Sequence, residues 1–369
     1  MGEGVRDAVV VGGGIAGACV AYHLVVGGAR TVLIDRGDPG RATDAGAGIL
    51  SPETTRVGGD AWTELAMACG RYYPVLASDL AHDGETDSGF APSGLLALAL
   101  ADWDIEAFEA LKGVALSRSG GGIAEIEPDE ARARFPALGT VTRALWNPDA
   151  ARVDGRRFSA AVVRSAVRYG LEYVSASVER VADGSVVAGG RTFACDAAVI
   201  AGGAWSPGLA AQLDVDLPVG PERGQIVHLS VPSASDTGSW PIVSPVLGHY
   251  LVPWPGGRVA AGATREPDAG FATAPTVAGV RQVLNEVARV APGLVDATLL
   301  EIRVGLRPAC RDGLPVLGRL RDNVFVATGY GPDGLLLSPW CGSLVASWVL
   351  GASPDPAMEP FLASRFVPA

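Results

Sequence analysis

The stretch VVGGGIAGACVAYHL, residues 10–24, constrains this chain more than any other. An apolar run from Asp7 to Val11 precedes it, and Gly12, Gly14 and Gly17 stand at the G-x-G-x-x-G spacing. A segment of helical length follows, from Ile15 to Val26, and Gly27 and Gly28 end it. A second apolar run, Arg30 to Asp35, closes a strand–helix–strand unit with an acid at its tip. Each glycine has its own physical reason to be there. Gly12 permits the tight turn, Gly14 lets a pyrophosphate approach the backbone, and Gly17 lets helix and strand pack closely. Helix N-terminal amides, in the turn that holds Ile15 and Ala16, supply donors and partial positive charge, and Asp35 can accept from ribose hydroxyls. The unit predicts a bound dinucleotide. It does not choose between NAD and FAD, which both use such a turn.

Later segments favour FAD. A nicotinamide enzyme of the simplest kind would continue with further strand–helix units, whereas RGDPGRATDAGAGILSP reads as a loop running alongside something. Two small-residue segments return much later, VIAGGAWS (199–206, with Gly203) and ATGYGPDGLLLSP (327–339). They are suited to lining an extended cofactor whose ring system lies far from its adenine. Elsewhere in the chain the pattern predicts helices over 60–80, near 104–111, up to Gly170 and over 277–290. Strands are predicted at 93–101, at 141–147, in EYVSASVERV and in DAAVIAGGAWS, and a hairpin in GSVVAGGRTFAC. Further strands fall between Arg223 and Gly262, with turns at VPSASD and PGG, and a last one at 323–330. GLLLSPWCGSLVASWVLG, residues 334–351, is the most membrane-like stretch. Pro339 and Gly342 interrupt it and it falls short of about 20 apolar residues, so a buried helix is expected.

Composition narrows the function. A chain of 369 residues suggests two domains, or one large one, and 48% hydrophobic with 19% charged residues describes a compact globular enzyme. A net charge of −11 offers no basic stripe for nucleic acid. Cys19, Cys69, Cys195, Cys310 and Cys341 form no CxxC, and the four histidines form no HxH or HxxxH pair. Neither a disulfide framework nor a metal site is expected. A reducing cytoplasm is the expected home, in line with an N-terminus that enters a strand without a basic leader.

Five stretches in one order carry a resemblance: the dinucleotide turn with Asp35, RATDAGAGIL, VIAGGAWS, HYLVPWPGGRVAAGATRE, and VGLRPACRDGLPVLG followed by ATGYGPDGLLLSP. With them the sequence resembles the D-amino-acid oxidase and glycine oxidase family of FAD-dependent amine oxidoreductases over essentially its whole length. The resemblance implies an α/β fold: a Rossmann-like FAD-binding domain from residues 1–85, 148–218 and 305–369, interleaved with a substrate domain from 86–147 and 219–304 on a large mixed sheet. It sets Asp35 and Arg36 at the adenosine ribose, and Ala42, Thr43, Ala47, Gly48 and Ile49 in the loop along the cofactor. Val178 falls at the adenine end. Tyr330, Gly331, Pro332, Asp333, Gly334, Leu335 and Leu336 would bring backbone amides to the isoalloxazine.

Arg307 in GLRP matches the arginine that clamps the substrate carboxylate, a role suited to a planar fork with two parallel donors. Tyr250 matches a pocket tyrosine that contacts the carboxylate or amine. The implied reaction is hydride transfer from the substrate α-carbon to flavin N5, giving an imine that hydrolyses to a keto acid and ammonia or amine, with peroxide formed from oxygen. Departures from the pattern concern the substrate. Pro332 stands where glycine-oxidase relatives carry an arginine, Gly248 replaces a pocket histidine, and Arg265 replaces an apolar residue, adding a second cation for a larger or more anionic substrate. The sarcosine-oxidase group attaches flavin through a cysteine where this chain has Gly305, so FAD is expected to be non-covalent; Cys310 is the nearest alternative anchor. The expected partners are a carboxylate-bearing amine and oxygen or another electron acceptor, with no membrane span and with a homo-oligomer left open. Alternatives are a same-fold dehydrogenase serving a quinone or carrier, a tailoring oxidase of an amino-acid-derived metabolite, and an NAD-linked dehydrogenase.

Overall fold

Alternate side chains of the strand Asp7–Val11 enter two different cores: Ala8 and Val10 join Ala18 and Leu33 on one side, Val9 and Val11 join Ile34 and Val326 on the other. A strand buried on both faces belongs inside a parallel sheet. The computed structural model, which describes residues 7–55, 59–231 and 236–366, places it there. Six strands run in the order Val316–Arg321, Val324–Thr328, Ala197–Ile200, Asp7–Val11, Arg30–Asp35, Glu172–Ser175. All neighbours are parallel except the first pair. Helices Ile15–Val26, Asp60–His82, Gly155–Arg168 and Gly334–Val349 cover one face. A three-stranded sheet, Val178–Ala182 with Ser185–Ala188 and Arg191–Ala194, covers the other.

The membrane-like C-terminal stretch is a buried helix, Gly334–Val349, as expected. Its Gly342 lies so close to Ile15–Val26 that a Cβ would come 2.7 Å from Cys19 Cβ. Among the described residues no helix is long and apolar enough to cross a membrane.

A second, eight-stranded sheet is mixed: all its neighbours are antiparallel but Ile242–Pro245 with Leu95–Ala99. Its longest pairing joins Val219–Ser230 to Thr298–Cys310, from Val219 opposite Cys310 to Ser230 opposite Thr298. That register sets Glu222 across from Arg307 and Gly224 across from Gly305.

Four local expectations change. EYVSASVERV is two strands, not one: Glu172–Ser175 lies along Arg30–Asp35, then Val178 departs to pair with Ala188 in the small sheet. The segment after Arg36 is not all loop, since Ala42–Ala45 makes one helical turn and Ile49–Leu50 a short strand. The helix near Asp104–Leu111 runs on to Arg118, which donates to Thr55 O at 2.6 Å and Thr63 Oγ1 at 2.9 Å. Strand Thr298–Cys310 has no sequence forerunner: Leu299 and Leu300 are adjacent and both exposed, which breaks the alternation that marks a strand. Of the expected VPSASD turn, residues 232–235 lie outside the described residues.

Candidate active site

The dinucleotide turn closes around its glycines. Gly12 has φ +109°, and a Cβ there would sit 2.4 Å from Ala201 O. A Cβ on Gly17 would sit 1.8 Å from Gly12 O, so Gly17 serves the strand–helix contact and not the cavity wall. Asp35 turns its carboxylate onto the turn, accepting from the amides of Gly13 and Gly37. Ile15 N donates to Thr43 Oγ1 at 3.0 Å, and Arg41 Nη2 donates to Gly13 O at 2.6 Å.

From this turn a single cavity of about 700 Å³ extends between the two large sheets. Every residue expected from the sequence to hold cofactor or substrate lines it except Gly17. Asp35, Arg36 and Val178 lie along one part of the wall with Gly12, Gly14, Ile15 and Ala16. Ala42, Thr43, Ala47, Gly48 and Ile49 continue it with Gly203, and the run Tyr330 to Leu336 meets Tyr250, Arg265 and Arg307.

The arginine-bearing end is built by sheet register. Arg307 Nη1 donates to Glu222 Oε1 at 3.0 Å and to Thr264 O at 3.1 Å. Gly224 makes room for that guanidinium, since a Cβ there would be 2.5 Å from Arg307 Nη2. Arg265 reaches the same oxygen, its Nη1 3.5 Å from Glu222 Oε1, with 60% of its side chain exposed against 16% for Arg307. Burial pushes the Tyr250 hydroxyl up to about 12 although both arginines pull it down, so at neutral pH it is a donor. Gly248 (φ +138°) lies where a Cβ would meet Arg289 and Glu286, and Arg289 Nη2 donates to Leu247 O at 2.7 Å. That tie holds the Leu247–His249 wall against helix Val277–Val290.

The residues fit a dinucleotide. Gly48 (φ +78°) would put a Cβ 1.7 Å from Val153 O, so backbone alone faces the cavity there, as at Gly12. Fold and site thus define an oxidoreductase of the dinucleotide-cofactor class, with two arginines, Arg307 and Arg265, on its cavity wall.

The chain belongs to the DAO family of FAD dependent oxidoreductases, whose pattern matches residues 7–348. It is 34% identical to the oxidoreductase YurR of Bacillus subtilis, over 96% of this chain and 98% of that one. It is 30% identical to a glycine oxidase of Geobacillus kaustophilus, over 98% and 97%. The structure of iminodiacetate oxidase from Chelativorans sp. BNC1 superposes with a TM-score of 0.91 at 35% identity, covering 96% of this chain and 98% of that one. The protein is therefore an FAD-dependent oxidoreductase of the glycine oxidase and iminodiacetate oxidase type.

Gly305 bears on flavin attachment: a Cβ there would come 2.8 Å from Ala45 Cβ, leaving no room for a linking side chain. Cys310 is buried, has Arg365 Nη2 4.0 Å from its sulfur, and is not among the cavity-lining residues. Acid precipitation of the holoprotein is expected to leave all flavin in the supernatant; yellow protein in the pellet contradicts a non-covalent cofactor.

Sequence reasoning missed Glu222, Gly224 and Arg41. Glu222 and Gly224 act through the pairing of Val219–Ser230 with Thr298–Cys310, which no local pattern announces. Arg41 stood inside the expected cofactor loop, and a basic residue facing a dinucleotide turn was the available signal.

Proposed function

We propose that the protein is an FAD-dependent oxidase of amines that carry two carboxylates, compounds of the iminodiacetate kind. The carrying observation is that Arg307 and Arg265 converge on the same oxygen of Glu222. Two guanidinium groups stand on the cavity wall, and Glu222 fixes both forks. One arginine suffices for glycine; a second is suited to a second carboxylate. Likeness to an iminodiacetate oxidase supports the reading.

In this reading Arg307 and the Tyr250 hydroxyl hold the carboxylate next to the reacting carbon, and Arg265, at the more exposed position, holds the distal one. Bound FAD supplies a hydride acceptor for the carbon next to nitrogen. The protein's contribution is orientation: two fixed carboxylates leave the C–H bond little freedom to point elsewhere. Water hydrolyses the resulting imine to an oxo acid and a smaller amine, and oxygen takes the electrons as peroxide. A cytoplasmic setting and the division into an FAD-binding and a substrate domain belong to the same reading; all five cysteines are free and buried. The second reading, oxidation of glycine, sarcosine or a D-amino acid, rests on Arg307 and Tyr250 alone.

Peroxide formation in air with iminodiacetate, glycine, sarcosine and D-alanine separates the two. Arg265→Leu is expected to raise KM for iminodiacetate about tenfold, the worth of one exposed charge-assisted contact, with KM for glycine within about twofold. A wild type that prefers glycine or sarcosine, together with an Arg265→Leu variant that leaves every KM unchanged, refutes the dicarboxylate reading.

A further inference from the structure

Asp333 is the N-cap of helix Gly334–Val349, where an aspartate ordinarily turns its carboxylate onto the helix amides for about 1 kcal/mol of stability. Its side chain makes no such bond. It lines the cavity instead, on the wall shared with Arg265, Arg307 and Tyr250. The 3₁₀ turn Gly331–Asp333 runs straight into the helix, so the backbone of Asp333 lacks the extended shape of a side-chain cap and its carboxylate is left to the cavity.

A substrate amine held between two arginine-bound carboxylates requires a hydrogen-bond acceptor. Arg265 and Arg307 only donate, and the protonated Tyr250 hydroxyl, though it can accept, carries no negative charge to hold an ammonium. Glu222 is already shared by both arginines. His249 has its Nε2 3.3 Å from Gln282 Nε2. Among the described residues that line the cavity beside Arg265 and Arg307, Asp333 supplies a carboxylate. The charged groups facing it are Arg265, from the loop after Arg258–Gly262, and Arg307, from Thr298–Cys310, with Glu222 paired to both; helix Gly334–Val349 itself carries no charged residue.

We propose that Asp333 is the site of the substrate amine: its carboxylate accepts from the bound ammonium and takes that proton before the hydride leaves the neighbouring carbon. The inference rests on the dicarboxylate-amine reading above. The step balances. A secondary ammonium and a carboxylate become a neutral amine and a carboxylic acid, and the freed nitrogen lone pair then forms the C=N bond as the C–H pair departs as hydride to the bound FAD. Burial raises the Asp333 carboxyl to about 6 although both arginines pull it down, so it is mostly ionised, and able to accept, above that pH.

The test compares wild-type holoprotein with Asp333→Asn. Anaerobic flavin bleaching by iminodiacetate is followed from pH 5 to 8 at substrate well below half-saturation, where the rate reports the free enzyme. Binding of oxydiacetate, which keeps both carboxylates but has an ether oxygen for the amine, is measured by calorimetry over the same range. Wild-type bleaching is expected to slow about tenfold per pH unit below about 6, and Asp333→Asn to be about 100-fold slower at pH 8 without that limb. Oxydiacetate, with no proton to give, is expected to bind wild type more tightly as the pH falls below about 6, and Asp333→Asn at pH 8 at least as tightly as wild type. An Asp333→Asn variant with wild-type bleaching rates and pH profile overturns the proposal. Should that variant lose its flavin, wild-type oxydiacetate affinity that stays constant from pH 5 to 8 overturns it. Wild-type flavin that no dicarboxylate amine bleaches refutes the substrate reading itself, whereas a bleached wild type with an unchanged variant refutes only the role of Asp333.

Discussion

Replacing Arg307 by leucine is expected to raise KM for the amine substrate about 100-fold, equivalent to about 3 kcal/mol, with the purified protein still yellow. The size follows from what is removed. Arg307 is mostly buried, is aimed by Glu222 and Thr264 O, and occupies a space kept open by Gly224. A charged fork held in advance loses little entropy when a carboxylate arrives, and its loss leaves that carboxylate facing an apolar side chain. The dinucleotide turn at Gly12 to Ile15 is untouched, because it belongs to the other large sheet. Arg307→Lys separates charge from geometry: it keeps the cation, loses the parallel donors, and is expected to raise KM about tenfold. Steady-state kinetics with flavin content measured on the same samples checks both. An Arg307→Leu enzyme with wild-type KM removes this residue from the substrate site.

The second large effect lies in the turn. Gly12→Ala asks an alanine to adopt φ +109° with its Cβ 2.4 Å from a backbone carbonyl, Ala201 O. Backbone strain and overpacking together predict a loss of about 3 kcal/mol, and the carbonyl cannot yield without shifting strand Ala197–Ile200. Flavin content should fall with it, since the same turn faces the cavity. Gly113→Ala is the control: it lies in helix Ile105–Arg118 with nothing within 4 Å of an added Cβ, and is expected to be neutral or stabilising by up to about 1 kcal/mol. Thermal melts and the flavin-to-protein ratio read both variants. Equal melts for Gly12→Ala and wild type contradict the account of the turn.

What could be read from sequence follows the range of the interactions involved. The first unit, Asp7–Val11, Ile15–Val26 and Arg30–Asp35, was legible to the residue because glycine spacing and apolar runs are local signals. Helix Val277–Val290 was legible for the same reason. Strand Thr298–Cys310 was not, because its partner, Val219–Ser230, lies far away in the chain and its exposed half lacks alternation. The substrate end divides along the same line. Arg307 and Tyr250 stood out through the family's pattern, but the sharing of Glu222 by two arginines exists only once the register brings residues 222 and 307 face to face. Asp333 showed as one residue of a backbone segment; that its side chain leaves the helix cap for the cavity is a matter of rotamer and packing, on which sequence is silent.

One measurement addresses the central claim most directly: anaerobic mixing of wild-type holoprotein with iminodiacetate or glycine, following loss of the yellow flavin band over a range of concentrations. The two-arginine site predicts that iminodiacetate bleaches the flavin and half-saturates at a concentration at least about tenfold below that for glycine. Glycine saturating at the lower concentration, or flavin that iminodiacetate leaves oxidised, contradicts it.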